Sequence, residues 1–300
     1  MGIRMMIDTL ENEYLAIKVS HRGAELCSLM DKEKKEEYLW SGDPAFWGGS
    51  SPVLFPFIGG LQDGKFRHDG KEYAIIKHGF AKDMDFTLLR KEQDCLWYGI
   101  TDTGETRKSY PFAFVLEIGY LLRGKTLSVR WRVFNKNDKT MYFSIGGHPG
   151  FVCPPPGETG LRTQCSLQFD EKERLVSEVI GADGLISGEQ KSYPLQNGRL
   201  PVSPGIFDRD ALLFKNGQVH RVSLCGKDGR PYVSVSVEAP VVGIWSREQE
   251  EASFICVEPW HGICDTSGYA GELKDRPFIN CLDAGQTFEA GYKIFLEEVE

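Results

Sequence analysis

Apolar and polar residues alternate with period two along much of this chain. Leu15, Ile17 and Val19 are separated by Ala16 and Lys18, and Leu127, Val129, Trp131 and Val133 by Ser128, Arg130 and Arg132. Val233, Val235 and Val237 alternate in the same way with Ser234 and Ser236. Successive strand side chains point to opposite faces, so each stretch predicts a half-buried strand with one wet face. Asp69-Gly70, Asn197-Gly198, Asn216-Gly217 and Asp228-Gly229 fall between such stretches and suit turns with positive φ. Helical spacing is confined to two short segments, residues 43–49 and 171–179. No fixed-period repeat emerges, which disfavours a propeller. The Pro-rich patch at residues 153–157 reads as a rigid loop, because strand-like sequence resumes soon after it. The prediction is one all-β domain over residues 1–300, a large antiparallel β-sandwich.

Composition narrows the partners. A net charge of −8 argues against nucleic acid, whose binding requires basic patches, and against adhesion to an anionic membrane surface. A neutral small molecule is compatible with it. The segment M-G-I-R-M-M-I-D-T-L-E reaches charge too early for a secretory leader and has Met where a myristoylation signal needs Ser or Thr. The expected location is therefore cytoplasmic. The eight cysteines form no C-x-x-C pair, so reduced, mostly buried thiols are expected, with no zinc spacing.

Three separated segments carry the candidate chemistry: His78 in K-H-G-F-A, His148 in G-G-H-P-G-F, and Glu258 in V-E-P-W. A His and a Glu can exchange protons in both directions near neutral pH without a metal. Gly146 and Gly147 can allow close backbone approach of a ligand, and Pro149 biases His148 toward extended backbone. Glu258 ends the apolar run Phe254, Ile255, Cys256, Val257. A carboxylate there is costly unless paired, exposed or functional, and a salt bridge to Arg or Lys is the structural alternative. Asp210, in D-R-D-A-L-L-F with Asp208 beside it, is by default a turn residue. Trp47, Phe151 and Trp260 suit either a stacking wall or core packing. His68, His220 and His261 receive no role.

In order and wording these segments resemble the aldose 1-epimerase (galactose mutarotase) family. There the first His lies in H-G-F or H-G-L, the second precedes Pro in H-P-x-F, and the Glu stands in E-P. With F-P-F-I-G-G-L-Q-D-G-K-F ahead of His78, the wording is closest to the LacX-like branch, and the resemblance runs from about Met30 to the C-terminus. It implies a β-supersandwich with a sugar cleft on its concave sheet and no cofactor. It also implies His148 as the acid on the ring oxygen, Glu258 as the base on the anomeric hydroxyl, and His78 and Asp210 as substrate-binding groups. The implied reaction interconverts the α and β anomers of a free aldohexose, with Glu258 and His148 expected on either side of one pyranose.

One departure stands out. The larger galactose mutarotases carry Asn-Arg where this chain has Gly59-Gly60, so their sugar-binding Arg is missing, and Gln62, Lys65 and Arg67 are the candidates to replace it. A hexose-phosphate epimerase would need a cation cluster for the phosphate. A non-catalytic sugar-binding or sensing protein needs no acid–base pair. A glycosidase needs two carboxylates across the scissile bond, which leaves both histidine motifs unexplained.

Overall fold

The computed structural model describes residues 6–297; the first five residues, part of the segment read for a leader or lipid signal, lie outside them. About 49% of the chain is strand and 5% helix, the all-β architecture expected. A nine-stranded and an eight-stranded antiparallel sheet dominate, with smaller sheets around them. The eight-stranded sheet runs from Ile186–Pro194 through Arg174–Ile180, Leu212–Lys215, Val241–Trp245, Phe254–His261 and Ile145–Gly147 to Val53–Leu54, and Gly150–Val152 pairs with Phe254–His261 beside that path.

Strand alternation divides the faces of this sheet. Leu212, Phe214, Val242, Ile244, Ile255 and Val257 join the main core, whereas Leu213, Val241 and Trp260 form a second cluster on the opposite face. Phe254 and Cys256 belong to a third cluster with Trp40. The central strands are thus apolar on both faces, which is why F-I-C-V and V-V-G-I-W read as continuous apolar runs. Glu258 stands in register with Gly243 on the neighbouring strand and takes its place in the series Phe254, Cys256, Glu258, Trp260, the face turned away from the main core.

Some local expectations are corrected. Residues 171–179 form no helix; Arg174–Ile180 is a strand whose Leu175, Ser177 and Ile180 are buried. Its period-two pattern is blurred by a bulge between Glu178 and Ile180, which made a helix plausible. Residues 44–46 form turns, and the α-helix among the described residues is Thr106–Ser109. The serine face of Pro231–Val237 is not wet either. Ser234 is fully buried and its hydroxyl lies 2.6 Å from that of Ser223, since a paired hydroxyl can enter a core. Asp69-Gly70 closes a two-residue hairpin with His68 opposite Lys71, both turn residues at positive φ. None of the eight cysteines is disulfide-bonded, and six are buried. Among the described residues no helix is long and apolar enough to cross a membrane.

Candidate active site

On the outer face of the eight-stranded sheet lies a cleft of about 520 Å³ whose lining includes His78, His148, Asp210 and Glu258. This is an ordinary size for a small-molecule site. The strand Phe254–His261 carries Glu258, and His148 follows the adjacent strand Ile145–Gly147. Both side chains are almost wholly buried. The Nε2 of His148 stands 3.2 Å from the Oε2 of Glu258, and no Arg or Lys forms a salt bridge with that carboxylate among the described residues. The contact corrects the expected bracketing of a pyranose: there is no space for a ring between the two groups. A hemiacetal carries its hydroxyl and its ring oxygen on the same carbon, so adjacent groups suit it better than opposed ones.

Burial brings His148 down to about 3. Burial first, then Asp210, holds Glu258 well above the ordinary carboxylate range, while Lys77 and the Trp260 indole pull it back. Burial disfavours the imidazolium and the carboxylate alike, which favours a single proton shared across the contact. Aromatic rings keep water away. Trp47 stacks on the His148 imidazole at 4.7 Å and Trp245 meets it edge-on at 5.4 Å.

His78 lies 5.7 Å from His148, ring to ring. Its backbone is left-handed, with φ +66°, a conformation uncommon for a non-glycine residue. The Gly59 N–H donates to His78 Nδ1 at 3.1 Å, and the His78 N–H donates to the Gly59 carbonyl at 3.0 Å. With Nδ1 accepting, the proton of the neutral ring sits on Nε2. Burial, then the neighbouring His148 and Lys77, keeps that ring neutral by holding its pKa well below the ordinary value. Asp210 is also left-handed, at φ +63°, and its carboxylate lies 3.9 Å from the Lys77 ammonium.

Other candidates are resolved differently. Trp47 and Trp260 line the cleft, but Phe151 is sealed in the main core. The glycines before His148 serve packing rather than a ligand: a Cβ on Gly146 would come within 2.7 Å of the Trp260 ring, and one on Gly147 within 2.8 Å of Tyr292. A Cβ on Gly60 would meet Leu185 at 3.2 Å, so an apolar side chain backs that position. None of the three proposed replacements lines the cleft. Gln62 accepts from the Gly268 N–H, while Lys65 and Arg67 face Glu72 at 3.7 and 3.3 Å beside a separate groove. The cations on the cleft are Lys77, Lys82 and Arg247.

Similarity now adds to the geometry. The profile of the aldose 1-epimerase family matches residues 6–272. The chain belongs to the aldose 1-epimerase family. It is 29% identical to the protein LacX (chromosomal) of Lactococcus lactis subsp. lactis, over 95% of this chain and 97% of that one. Its fold superposes on the galactose mutarotase related enzyme of Lactobacillus acidophilus with a TM-score of 0.91, at 31% identity and 98% coverage of both chains. A galactose mutarotase-like protein from Lactobacillus casei gives 0.90 at 29% identity, covering 97% of this chain and all of that one.

Within this aldose 1-epimerase family member, the rim of the cleft was hidden from sequence reasoning. Trp245, Arg247 and Gln249 line it, and their loop is held from behind by the buried Arg162. The Arg162 guanidinium donates to the carbonyls of Gln249 at 2.6 Å, Ala252 at 2.8 Å and Glu248 at 3.3 Å, and also to that of Arg247. It lies over the Phe207 ring as well, on another wall of the same cleft. A buried cation satisfied by carbonyl oxygens instead of a carboxylate has no sequence signature. Lys77, the residue before His78, received no role from the sequence.

Proposed function

We propose that this chain is a single-domain aldose 1-epimerase that interconverts the α and β anomers of a free aldohexose. The observation that supports the reading most directly is the His148–Glu258 contact of 3.2 Å on the cleft. In the reactive arrangement the shared proton is on His148 and Glu258 is ionised. Glu258 takes the proton of the anomeric hydroxyl, His148 delivers one to the ring oxygen, and the ring opens to the aldehyde. Rotation about the C1–C2 bond presents the other carbonyl face, and reversed transfers close the ring. Positioning and paired proton transfer supply the acceleration. His78 donates from Nε2 to a sugar oxygen, and Asp210 with Lys77 binds hydroxyl groups.

The charges on the cleft favour a neutral sugar over a phosphorylated one. Lys77 faces Asp210, Lys82 is paired with Asp83, and Arg247 donates to the Phe46 carbonyl at 2.6 Å. Of the three, Arg247 alone has no carboxylate partner among the described residues, and one guanidinium is not the cation cluster a phosphate requires. Polarimetry of freshly dissolved α-glucose and α-galactose tests the reading: rotation should relax faster with the protein, and Glu258→Gln should return the rate nearly to that of buffer. A wild-type protein that binds hexose yet leaves the relaxation unchanged would make it a sugar-binding protein instead.

A further inference from the structure

Cys256 stands two residues before Glu258 on the strand Phe254–His261. Residues i and i+2 of a strand share a face, so its sulfur points to the same side as the Glu258 carboxylate and toward His148. One donor atom from each of His148, Cys256 and Glu258 lies within 4.8 Å of the other two, and all three residues are buried. Two of the donors are close to ligand spacing already. Atoms about 2.0–2.1 Å from a tetrahedral zinc ion stand roughly 3.3–3.4 Å apart, and His148 Nε2 to Glu258 Oε2 is 3.2 Å. A second observation marks the same spot: Glu258 Oε2 is a buried side-chain atom with no partner in hydrogen-bonding geometry. Buried polar atoms are rarely left so.

We propose that His148, Cys256 and Glu258 form a site for a zinc-class divalent transition ion, and that its occupation blocks the acid–base pair. Imidazole, thiolate and carboxylate are the donor set this class of ion prefers, and three protein ligands leave a fourth position open toward the cleft. Binding forms the metal–sulfur, metal–nitrogen and metal–oxygen bonds. It releases to water the thiol proton and the proton held by the His148–Glu258 pair. No electron is transferred. The ion uses the His148 lone pair and the Glu258 charge together, so neither remains to move a proton. The blocking half of the proposal rests on the function proposed above, whereas the binding half does not.

The test titrates the full-length protein with Co²⁺ and Zn²⁺ in a background where the accessible Cys27 and Cys281 are replaced by serine. Co²⁺ should give a near-ultraviolet thiolate charge-transfer band saturating at one equivalent, and Zn²⁺ should displace it. Cys256→Ser, with Cys256→Ala as a second variant against misfolding, should abolish the band and weaken Zn²⁺ binding at least about tenfold. Metal-free sugar turnover should stay at its original level in both variants, because Cys256 does not line the cleft. Zn²⁺ should inhibit the parent protein and not the variants, with EDTA restoring activity. A band that persists in both Cys256 variants overturns the site, and activity that requires the metal overturns the blocking. A Cys256-dependent band in a protein that turns over no sugar would retain the site while removing the proposed function.

Discussion

Gly59 and His78 are bound to each other twice, N–H to carbonyl and N–H to imidazole, at 3.0 and 3.1 Å. Gly59 is itself left-handed, at φ +68°, and a Cβ there would come within 2.4 Å of the Cys264 Cβ. The pair therefore fixes both the backbone and the tautomer of the first histidine motif. His78→Asn keeps a residue tolerant of left-handed backbone, and should preserve stability while raising KM severalfold. His78→Val puts a β-branched residue in that conformation and should cost about 1–3 kcal/mol. Denaturant unfolding beside steady-state kinetics separates the two effects.

Turnover should depend on both members of the contacting pair. Glu258→Gln and His148→Asn should each lower kcat by about 10²–10⁴-fold, the usual worth of a positioned base or acid. Asp210→Asn should act through KM instead. Comparable kcat in wild type and Glu258→Gln would remove Glu258 from the chemistry.

The pH profile follows from the single proton held by the pair. Activity should be lost in acid only as His148 takes up a second proton, near its lowered value of about 3. The alkaline loss occurs as the pair gives up its proton, and burial of Glu258 places that step well above the ordinary carboxylate range. A kcat/KM profile in overlapping buffers should be bell-shaped, with an unusually low acid limb. An acid limb near pH 6 would contradict the shared proton.

Lys77→Met should move both limbs upward together. The ammonium disfavours protons on His148 and Glu258 alike, so its loss lets each hold a proton to higher pH. The side chain is half exposed, so screening should limit the shift to less than about one pH unit. KM should rise as well, since Asp210 loses its partner.

The buried carboxyl also has a stability signature. Glu258 titrates higher in the folded chain than in the unfolded one. Above the unfolded value the unfolded chain releases this proton and the folded chain keeps it, so stability falls as pH rises toward the folded value. The slope is about 1.4 kcal/mol per pH unit. Glu258→Gln lacks this term, and its stability advantage over wild type should widen as pH rises from the unfolded carboxylate value toward the raised folded one. Chemical denaturation at several pH values measures the gap. A constant gap would mean that the carboxyl is ionised in the folded protein across this range.

The strands that alternate cleanly were legible, Thr126–Asn135 above all, and so were the two histidine motifs and the Glu that ends an apolar run. What was hidden had physical causes. The bulge after Glu178 blurred a strand into helical spacing. Trp245 sits in a run apolar on both faces, so nothing marked it as a cleft residue. The left-handed backbones of His78 and Asp210, which aim two candidate groups, follow from tertiary contacts rather than from any local motif. Gly146 and Gly147 were read as room for a ligand when the room is taken by Trp260 and Tyr292.

Arg162 gives the rim of the cleft a particular mechanical character. One planar cation grips the carbonyls of Arg247, Glu248, Gln249 and Ala252 at once, so these residues shift together or not at all. A wall tied in that way does not fold down over an arriving sugar. Discrimination between sugars is then made by the opening as it stands, before any chemistry. Encounter should be a single step limited by diffusion and orientation, with no slow closing phase behind it.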